Sequence, residues 1–320
     1  MESIQDTIGA ELKIFENKFS DSLRSKTPLL DRVMKYIIKR KGKQLRPMFV
    51  LLSAKLHGAI NDSTYRAATL VELLHTATLV HDDVVDESME RRNFFSINAI
   101  WKNKIAVLVG DYLLSKGLLL STSNEEFIHL HILSDAVRKM SEGELLQIEK
   151  TRTLNISEDI YFEIIRNKTA SLLASACAVG AYSTTQDSPI VEQMKLFGEK
   201  VGVAFQIKDD LLDFGSSSIG KPTGNDIKEK KLTLPLIYTL NHIDKNTRKR
   251  LIYIIKNENK KPDSVKFVVD YVYRSGGIQY ATETMYRYRD EALAILYTFE
   301  PSPARNALEE LVRFTTDRKY

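Results

Sequence analysis

The segment VELLHTATLVHDDVVD, residues 71–86, decides the fold. It is apolar apart from a few positions, and it ends in the pattern Asp82-Asp83-x-x-Asp86. At about 100° per residue in a helix, Asp82 and Asp86 lie on one face a single turn apart, and His75 falls within about 20° of the same stripe. The segment therefore predicts a mostly buried helix with an acidic face at one end.

A second segment, FQIKDDLLDF over residues 205–214, repeats the pattern as Asp209-Asp210-x-x-Asp213. Like charges at i and i+4 destabilise a helix even in water, and they cost far more in apolar surroundings without a cation. Oxygen ligands without Cys or His at matching spacing favour Mg²⁺ or Mn²⁺ over zinc. Either motif alone could be a solvated helix end. The pair predicts one divalent-metal site that binds a diphosphate, and hence an enzyme.

The rest of the chain also favours helices. It has 320 residues, of which 43% are hydrophobic and 28% charged, with only 8 prolines. Apolar residues recur at helical spacing almost throughout and strand signals are nearly absent, so we expect an all-α fold. No linker or internal repeat interrupts the pattern, which predicts a single domain over residues 1–320.

Charge and cysteine content exclude several classes. The formal net charge of +4 is small for this length and predicts neither nucleic-acid binding nor strong membrane attraction. The lone Cys177 fits a reducing, cytoplasmic compartment. The polar N-terminus differs from a signal peptide, and no apolar run reaches the roughly 20 residues of a transmembrane helix.

Basic residues recur in four places that suit phosphate oxygens. Lys offers a point charge, Arg a bidentate fork, and a turn before a helix offers free backbone N–H groups. Each place alone would be an ordinary solvated loop, or a lysine whose head reaches water from an apolar helix. The four are Lys43 with Arg46, Arg91 with Arg92, Lys168 with Thr169, and the loop 220–226 with Lys230 and Lys231.

In this order the residues resemble the trans-type (E-type) isoprenyl diphosphate synthases, of the long-chain, octaprenyl-like group. The match runs from about residue 40 to residue 235. One departure is Asn93 after the arginine pair, where many members have Gly. The matching motifs are Gly42-Lys43-x-x-Arg46-Pro47, His75, both Asp-Asp-x-x-Asp segments, Arg91-Arg92, Lys168-Thr169, Phe205-Gln206 and Lys221…Asp226…Lys231.

The resemblance implies the isoprenoid synthase fold, in which antiparallel helices surround a deep cavity, and assembly as a homodimer. It implies a prenyltransferase that ionises an allylic diphosphate, condenses it with isopentenyl diphosphate and eliminates a proton. It also implies Mg²⁺ as the cofactor, about three ions per site, with Mn²⁺ as an alternative.

The resemblance also implies a role for each matching residue. The metal ligands would be Asp82, Asp86 and Asp209. The other catalytic carboxylates, in or beside the metal shell, would be Asp83, Asp210 and Asp213. The allylic diphosphate would contact Arg91, Lys168, Gln206 and Lys221, with Thr169 and Lys231 assisting. Lys168, Thr169 and Gln206 would also take part in catalysis. Isopentenyl diphosphate would be held by Lys43, Arg46, His75 and Arg92.

Two small residues before the first acidic motif occupy positions that bear on the length of the product. In the family these positions help to set it, and here they are Ala77 and Thr78. Thr78 lies on the carboxylate stripe. Val71, eleven residues before Asp82, lies on the same stripe about 16 Å deeper than Asp82. We therefore expect a product of roughly six to nine isoprene units. The alternative is a short-chain product, if a neighbouring helix closes the tunnel early.

Two other functions share part of this pattern. A terpene cyclase shares the first acidic motif, but it would carry a different second motif and would not need the Lys43/Arg46 turn. A non-catalytic subunit of a heteromeric synthase would tend to lose the acidic motifs, and both are intact here.

Overall fold

The chain forms helices in almost all of its regular structure. A computed structural model describes residues 2–39, 42–91, 94–154, 157–215 and 224–318, and this part confirms the expected all-α class. The helices are α1 (Glu2–Ser22), α2 (Pro28–Lys39), α3 (Leu45–His57), α4 (Asp62–Val85), α5 (Ile97–Thr122), α6 (Phe127–Thr153), α7 (Glu158–Ile165), α8 (Ser171–Tyr182), α9 (Ser188–Asp213), α10 (Asn225–Lys228), α11 (Leu234–His242), α12 (Lys245–Asn257), α13 (Pro262–Arg274), α14 (Gly277–Leu296) and α15 (Pro303–Asp317).

The helix that carries the deciding segment has a defined beginning and end. The Asn61 side chain accepts the backbone N–H of Thr64 at 3.0 Å, and Thr64 returns the bond as a capping box. The helix α4 then runs without a break to Val85. Its last backbone bond joins the N–H of Asp86 to the carbonyl of Asp82 at 2.8 Å. The first acidic motif therefore lies at the end of α4, as the sequence predicts.

Two features of the structure differ from what the apolar periodicity of the sequence predicts. The segment 158–184 reads as one helix, but a π-helical turn, Arg166–Ala170, separates α7 from α8. An antiparallel pair of two-residue strands, β1 (Glu90–Arg91) and β2 (Phe94–Phe95), follows the first acidic motif. The π turn holds both Lys168 and Thr169, and such turns are frequent at functional sites.

The chain divides into two compact units. The first contains residues Met1–Val137, Ser175–Lys195 and Glu300–Leu308, and the second contains Arg138–Ala174, Leu196–Phe299 and Glu309–Tyr320. Several helices contribute residues to both, so the expectation of a single domain stays a prediction.

In the first unit, α4 packs against α3 and α5. The deciding segment supplies much of the buried surface, including Val71, Leu73 and Ala77. Part of α8 belongs to the same unit and approaches α3 closely. An added Cβ on Gly180 would lie 2.4 Å from the carbonyl oxygen of Val50, so only glycine permits this approach.

The second unit has its own apolar core, built around α9, α11, α12, α13 and α14. Buried members of this core include Phe214, Leu251, Val268 and Met285. The helix α9 places Val203, Ala204 and Ile207 in the core, so its polar positions face away from these apolar residues. The second acidic motif thus lies at the end of a helix anchored by its apolar side.

The helix α5 is the one candidate membrane span in the described ranges. It has 26 residues and a window of mean hydropathy 1.4, of which 33% is buried within the chain. Length and composition alone carry little weight, because a core helix or a contact helix meets the same criteria. The charged residues inside α5 explain why no uninterrupted apolar run is visible in the sequence.

Filling the contact at Gly180 should destabilise the protein. Gly180→Ala places a methyl group against the α3 backbone, and we expect a loss of about 1–3 kcal/mol in the free energy of unfolding. Gly9→Ala is the control, because its Cβ would meet only the movable end of the Gln5 side chain. Urea unfolding followed by circular dichroism measures both. Equal stability of the two variants would contradict the close contact.

Candidate active site

In the first unit, the first turn of α3 and the middle of α4 bring a guanidinium next to an imidazole. The Nη1 atom of Arg46 lies 2.9 Å from Nε2 of His75, and His75 is buried. Lys43 is exposed just before α3, and Gln44 there has a positive φ of 53°. The structure thus joins Arg46 to His75, two residues predicted to hold the same diphosphate.

The loop after the first acidic motif is fixed by side-chain amide and hydroxyl groups. Asn98 donates from Nδ2 to the carbonyl oxygens of Asp83 at 3.2 Å and Ser88 at 3.1 Å, and Ser96 donates to Ser88 at 2.6 Å. Asp83 is buried, whereas Asp82 is half-buried and Asp86 exposed. Asp82 and Asp86 are therefore the more accessible carboxylates of this motif.

The two product-length positions have different surroundings. Ala77 is fully buried inside the first unit. Thr78 is half-buried, and its hydroxyl donates to the carbonyl oxygen of His75 at 2.9 Å. Of the pair, Thr78 is the position where a larger side chain could meet a bound molecule.

In the second unit, one chain of hydrogen bonds joins the π turn to the second acidic motif. Thr169 donates to Oε1 of Gln206 at 2.7 Å, and Nε2 of Gln206 donates to Oδ1 of Asp210 at 2.9 Å. The hydroxyl of Tyr161, on α7, donates to the other oxygen of Asp210 at 2.6 Å. Asp210 is buried and has a donor on each oxygen, so its position is fixed from two sides.

Asp213 ends α9, and its carboxylate holds the beginning of α10. Its two carboxylate oxygens accept the backbone N–H groups of Asn225 and Asp226, both at 3.0 Å. Lys231 donates its backbone N–H to the carbonyl oxygen of Asp226 at 2.8 Å. These bonds bring Asp226 and Lys231 next to the second acidic motif.

Burial makes this group of carboxylates costly to ionise. It raises the pKa of Asp210 to about 7, although the hydrogen bonds from Tyr161 and Gln206 lower that pKa. Burial and the charges of Asp210 and Asp213 raise the pKa of Asp226 to about 8. Burial also raises the pKa of Asp213. For all three carboxyl groups, burial therefore favours the protonated form over the ionised form.

Lys168 is held by the neighbouring helix α6. It forms an ion pair with Glu144 and lies 3.4 Å from Oε1 of Gln147. The helix can come this close because Gly143 has no side chain, and an added Cβ would lie 2.9 Å from the backbone nitrogen of Lys168. Glu144 thus balances the charge of Lys168 in the absence of another anion.

Asp209 is paired with the end of the chain. Nη2 of Arg318 donates to Oδ1 of Asp209 at 2.5 Å and to the carbonyl oxygen of Phe205 at 3.4 Å. The guanidinium also stacks over the Phe205 ring, 4.1 Å from its centre. The pair partly satisfies a carboxylate that the sequence predicts as a metal ligand.

A cavity in the second unit collects many of these groups. Its polar lining comes from α6, α7, the π turn, α9, α10 and the segment after α10, and its apolar lining includes Ile164, Ile165 and Leu232. Concave sites with a few convergent polar groups are where small ligands bind. The predicted residues Lys168, Thr169, Gln206, Asp210 and Lys231 line the cavity together.

The structure does not describe the side chains of three residues that the sequence predicts to contact diphosphate. Arg92 and Lys221 lie outside the described residues, and of Arg91 only the backbone, in β1, is described. Their predicted contacts with diphosphate stay predictions.

The donor set fits the chemistry of Mg²⁺, since it consists of carboxylate oxygens. Burial first, and then the neighbouring carboxylates, raise the pKa values of Asp210 and Asp226, and a cation beside these groups would favour their ionised forms. Within the described ranges, however, no group of three or more His, Cys, Asp or Glu is already arranged to hold an ion. Asp209 and Asp213 are instead engaged by Arg318 and by backbone N–H groups.

Four groups were not singled out from the sequence, and Asp226 appeared there only as part of a motif. Glu144 and Gln147 stand at i and i+3 on α6, a spacing that places both on one face and could have flagged them. Tyr161 and Arg318 give no such signal. The Asp210 contact of Tyr161 spans 49 residues and the Asp209 contact of Arg318 spans 109.

The stability of the metal-free chain should fall as pH rises. The folded pKa of Asp226, about 8, lies above its ordinary value of 3.8, so the unfolded chain releases this proton first. Folding free energy is therefore lost between those values, by at most about 1.4 kcal/mol per pH unit for each such proton. Asp226→Asn should flatten this fall.

Thermal unfolding in EDTA, from about pH 5 to about pH 8, measures the slope. The control is Glu142→Gln, which changes an exposed acid paired with Arg138 on α6. Added Mg²⁺ should restore stability most at the alkaline end. Identical slopes for wild type and Asp226→Asn would rule out the carboxylate as the cause.

Comparison with known proteins places this chain in a family. The sequence matches the polyprenyl synthetase family over residues 27–272. It is 32% identical to heptaprenyl diphosphate synthase component 2 of Bacillus subtilis, over 97% of this chain and 88% of the relative.

Solved structures agree with the sequence match. A decaprenyl diphosphate synthase from Rhodobacter capsulatus has a TM-score of 0.93 and 33% identity, over 100% of this chain and 99% of the other. A geranylgeranyl pyrophosphate synthase from Bacteroides thetaiotaomicron has a TM-score of 0.85 and 37% identity, over 99% and 100%. These likenesses confirm the isoprenoid synthase fold. The chain belongs to the polyprenyl synthetase family and is a prenyltransferase.

Proposed function

We propose that this enzyme elongates an allylic diphosphate with isopentenyl diphosphate and releases an all-trans polyprenyl diphosphate of roughly six to nine units. The observation that carries the proposal is the bonded series Thr169–Gln206–Asp210, with Lys168 beside it in the π turn. It places one ammonium group, two neutral donors and an acidic motif around one cavity. That combination suits a diphosphate that binds together with a divalent cation.

The residues of the second unit would act on the leaving group. Lys168 is a donor to diphosphate oxygens once it leaves Glu144, and Gln206 and Thr169 can turn donors toward the same anion. These charge-assisted bonds strengthen as negative charge develops on the departing diphosphate, which favours ionisation of the allylic C–O bond. The apolar lining around Ile164, Ile165 and Leu232 excludes water that would quench the allylic cation.

Arg46 and His75 of the first unit would hold isopentenyl diphosphate, with Lys43 beside them. Fixing this second anion orients the alkene for attack on the cation, which lowers the entropic part of the barrier. After the new bond forms, a proton leaves the adduct. The released diphosphate is our proposed acceptor, because no side chain of the sequence stands out as a general base.

Mg²⁺ would be held by Asp82, Asp86 and Asp209, with Asp83, Asp210 and Asp213 in or beside its shell. When bound, Mg²⁺ neutralises diphosphate charge and assists its departure. We propose about three ions per site, and Mn²⁺ as a substitute.

The proposal extends to assembly and location. The helix α5 exposes Val107, Leu108, Leu118 and Leu119, an apolar surface that a second copy of the chain would cover in a homodimer. The free, buried Cys177 agrees with a cytoplasmic enzyme. The alternatives are a short-chain product, as the name of the Bacteroides relative describes for that protein, and a subunit that needs a partner.

Loss of either motif should abolish turnover without unfolding the protein. Asp82→Asn and Asp209→Asn keep the side-chain shape but remove a charge meant for the metal, and we expect losses of at least about 10²-fold in kcat. The assay uses the purified chain alone with isopentenyl diphosphate, a farnesyl primer and Mg²⁺.

Asp62→Asn is the control, because Asp62 is exposed at the other end of α4 and pairs with Lys18. Far-UV circular dichroism checks the fold. Full activity of Asp209→Asn would contradict its assignment as a ligand. No turnover by the wild-type chain alone would favour the partner-requiring subunit.

Product length should depend on Thr78. Thr78→Phe adds a ring at a half-buried position on the carboxylate stripe and should shorten the product by one or more units. Thr78→Ser, which can keep the bond to the His75 carbonyl, should leave the length unchanged. Chromatography of the products after removal of the diphosphate measures both. If Thr78→Phe gave wild-type products, Thr78 would not line the path of the chain.

A further inference from the structure

The helix α12 carries the most uneven charge distribution of the described helices. Its sequence, KNTRKRLIYIIKN, has five basic residues and no acidic one, which exceeds the formal net charge of +4 of the whole chain. The small net charge of the chain therefore coexists with a strongly basic helix.

The basic side chains of α12 lie on its outer face. Leu251, Ile254 and Ile255 are buried in the core of the second unit. At about 100° per residue, Lys245, Lys249 and Lys256 lie within about 40° of one another on the opposite side. Each is exposed. The apolar face holds the helix on the protein, so the basic stripe must face outward.

An aromatic ring stands in the same stripe. Tyr253 is 58% exposed, and it lies one turn from both Lys249 and Lys256. A tyrosine ring with an apolar body and a polar tip is favoured where water meets an apolar phase. The outer face of α12 is therefore basic and partly aromatic.

The charge of this face is not balanced by the protein itself. No ion pair involves Lys245, Arg248, Lys249 or Lys256 among the residues that the structure describes. Some surface cations on other helices do have acidic partners at i+4 or i−4. Examples are Lys35 with Asp31 on α2, Arg138 with Glu142 on α6, and Arg313 with Glu309 on α15. On α12, by contrast, four of the five basic residues have no ion pair within the described part of the chain.

We propose that the outer face of α12, with Lys245, Lys249, Tyr253 and Lys256, docks this enzyme on a membrane surface rich in anionic lipid. Clusters of Lys and Arg on an amphipathic helix are attracted to the negative potential of such surfaces, and an exposed aromatic ring can enter the headgroup region.

The choice of lipid over other polyanions rests on the proposed function. A polyprenyl diphosphate carries a long hydrocarbon chain that partitions into a bilayer, so an enzyme held at the surface releases its product next to its apolar phase. Strong binding to a nucleic-acid backbone usually needs more phosphate contacts than one helix face offers.

Vesicle co-sedimentation of the full chain tests the proposal. Vesicles contain phosphatidylcholine alone, or phosphatidylcholine with about one third phosphatidylglycerol, at about 0.05 M and about 0.5 M NaCl. Wild type should bind the anionic vesicles at least about tenfold more tightly than the neutral ones, and high salt should abolish the difference.

The triple variant Lys245→Gln/Lys249→Gln/Lys256→Gln should lose at least about tenfold in binding to anionic vesicles. Lys13→Gln/Lys26→Gln/Lys104→Gln removes the same charge at exposed positions outside α12 and should bind as wild type does. Gln is a good helix former, and circular dichroism verifies that both variants keep their helices.

Several outcomes would overturn the docking face. They are equal binding to neutral and anionic vesicles, equal losses in both triple variants, and binding of a DNA duplex as tight as that of anionic vesicles. Elongation of a soluble primer without vesicles is measured in parallel and should be the same in all three proteins. A chain that binds anionic vesicles through α12 but does not elongate would remove the proposed function and leave the docking face standing.

Discussion

The second unit is organised around the burial of Asp210. A carboxylate this deep in protein is expensive to ionise unless donors or cations surround it. Tyr161 and Gln206 each give it one hydrogen bond, and their own positions depend on α7 and on Thr169 in the π turn. The pKa of Asp210 is nevertheless raised to about 7, so these neutral donors only partly compensate for burial. A nearby positive charge would lower the cost of ionising this carboxyl group further.

The described protein balances its other site charges internally. Lys168 is paired with Glu144 and Asp209 with Arg318. A ligand that binds either charged group competes with its present partner, so the affinity for diphosphate or cation is the net result of an exchange. The two pairs are similarly exposed: Arg318 is 15% and Asp209 42% exposed, and Lys168 is 30% and Glu144 20% exposed. The Arg318 pair has an additional contact, because its guanidinium stacks on Phe205.

The helices α4 and α9 could be predicted because an apolar period and an acidic motif coincide in each. The motifs also identified about half of the residues that line the cavity, including Lys168 and Gln206. The π turn could not be predicted, because an extra residue in one turn leaves the apolar pattern on both sides readable as one helix. Glu144 and Arg318 escaped for a different reason. The residues next to a charged side chain in the sequence do not reveal a partner that lies far away along the chain.

The same limitation applies to averages over the whole chain. A net charge of +4 describes a nearly neutral protein, yet the charge that counts for an interaction is the charge within about 8 Å, the screening length at physiological salt. On α12 that neighbourhood contains basic residues that no acid of the described chain pairs with, while α2, α6 and α15 neutralise theirs in place. A partner that approaches this surface therefore interacts with the charge of α12 and not with the net charge of the whole chain. Likewise, Asp210 responds to its own surroundings, so charge has to be read locally, from the groups that lie in contact.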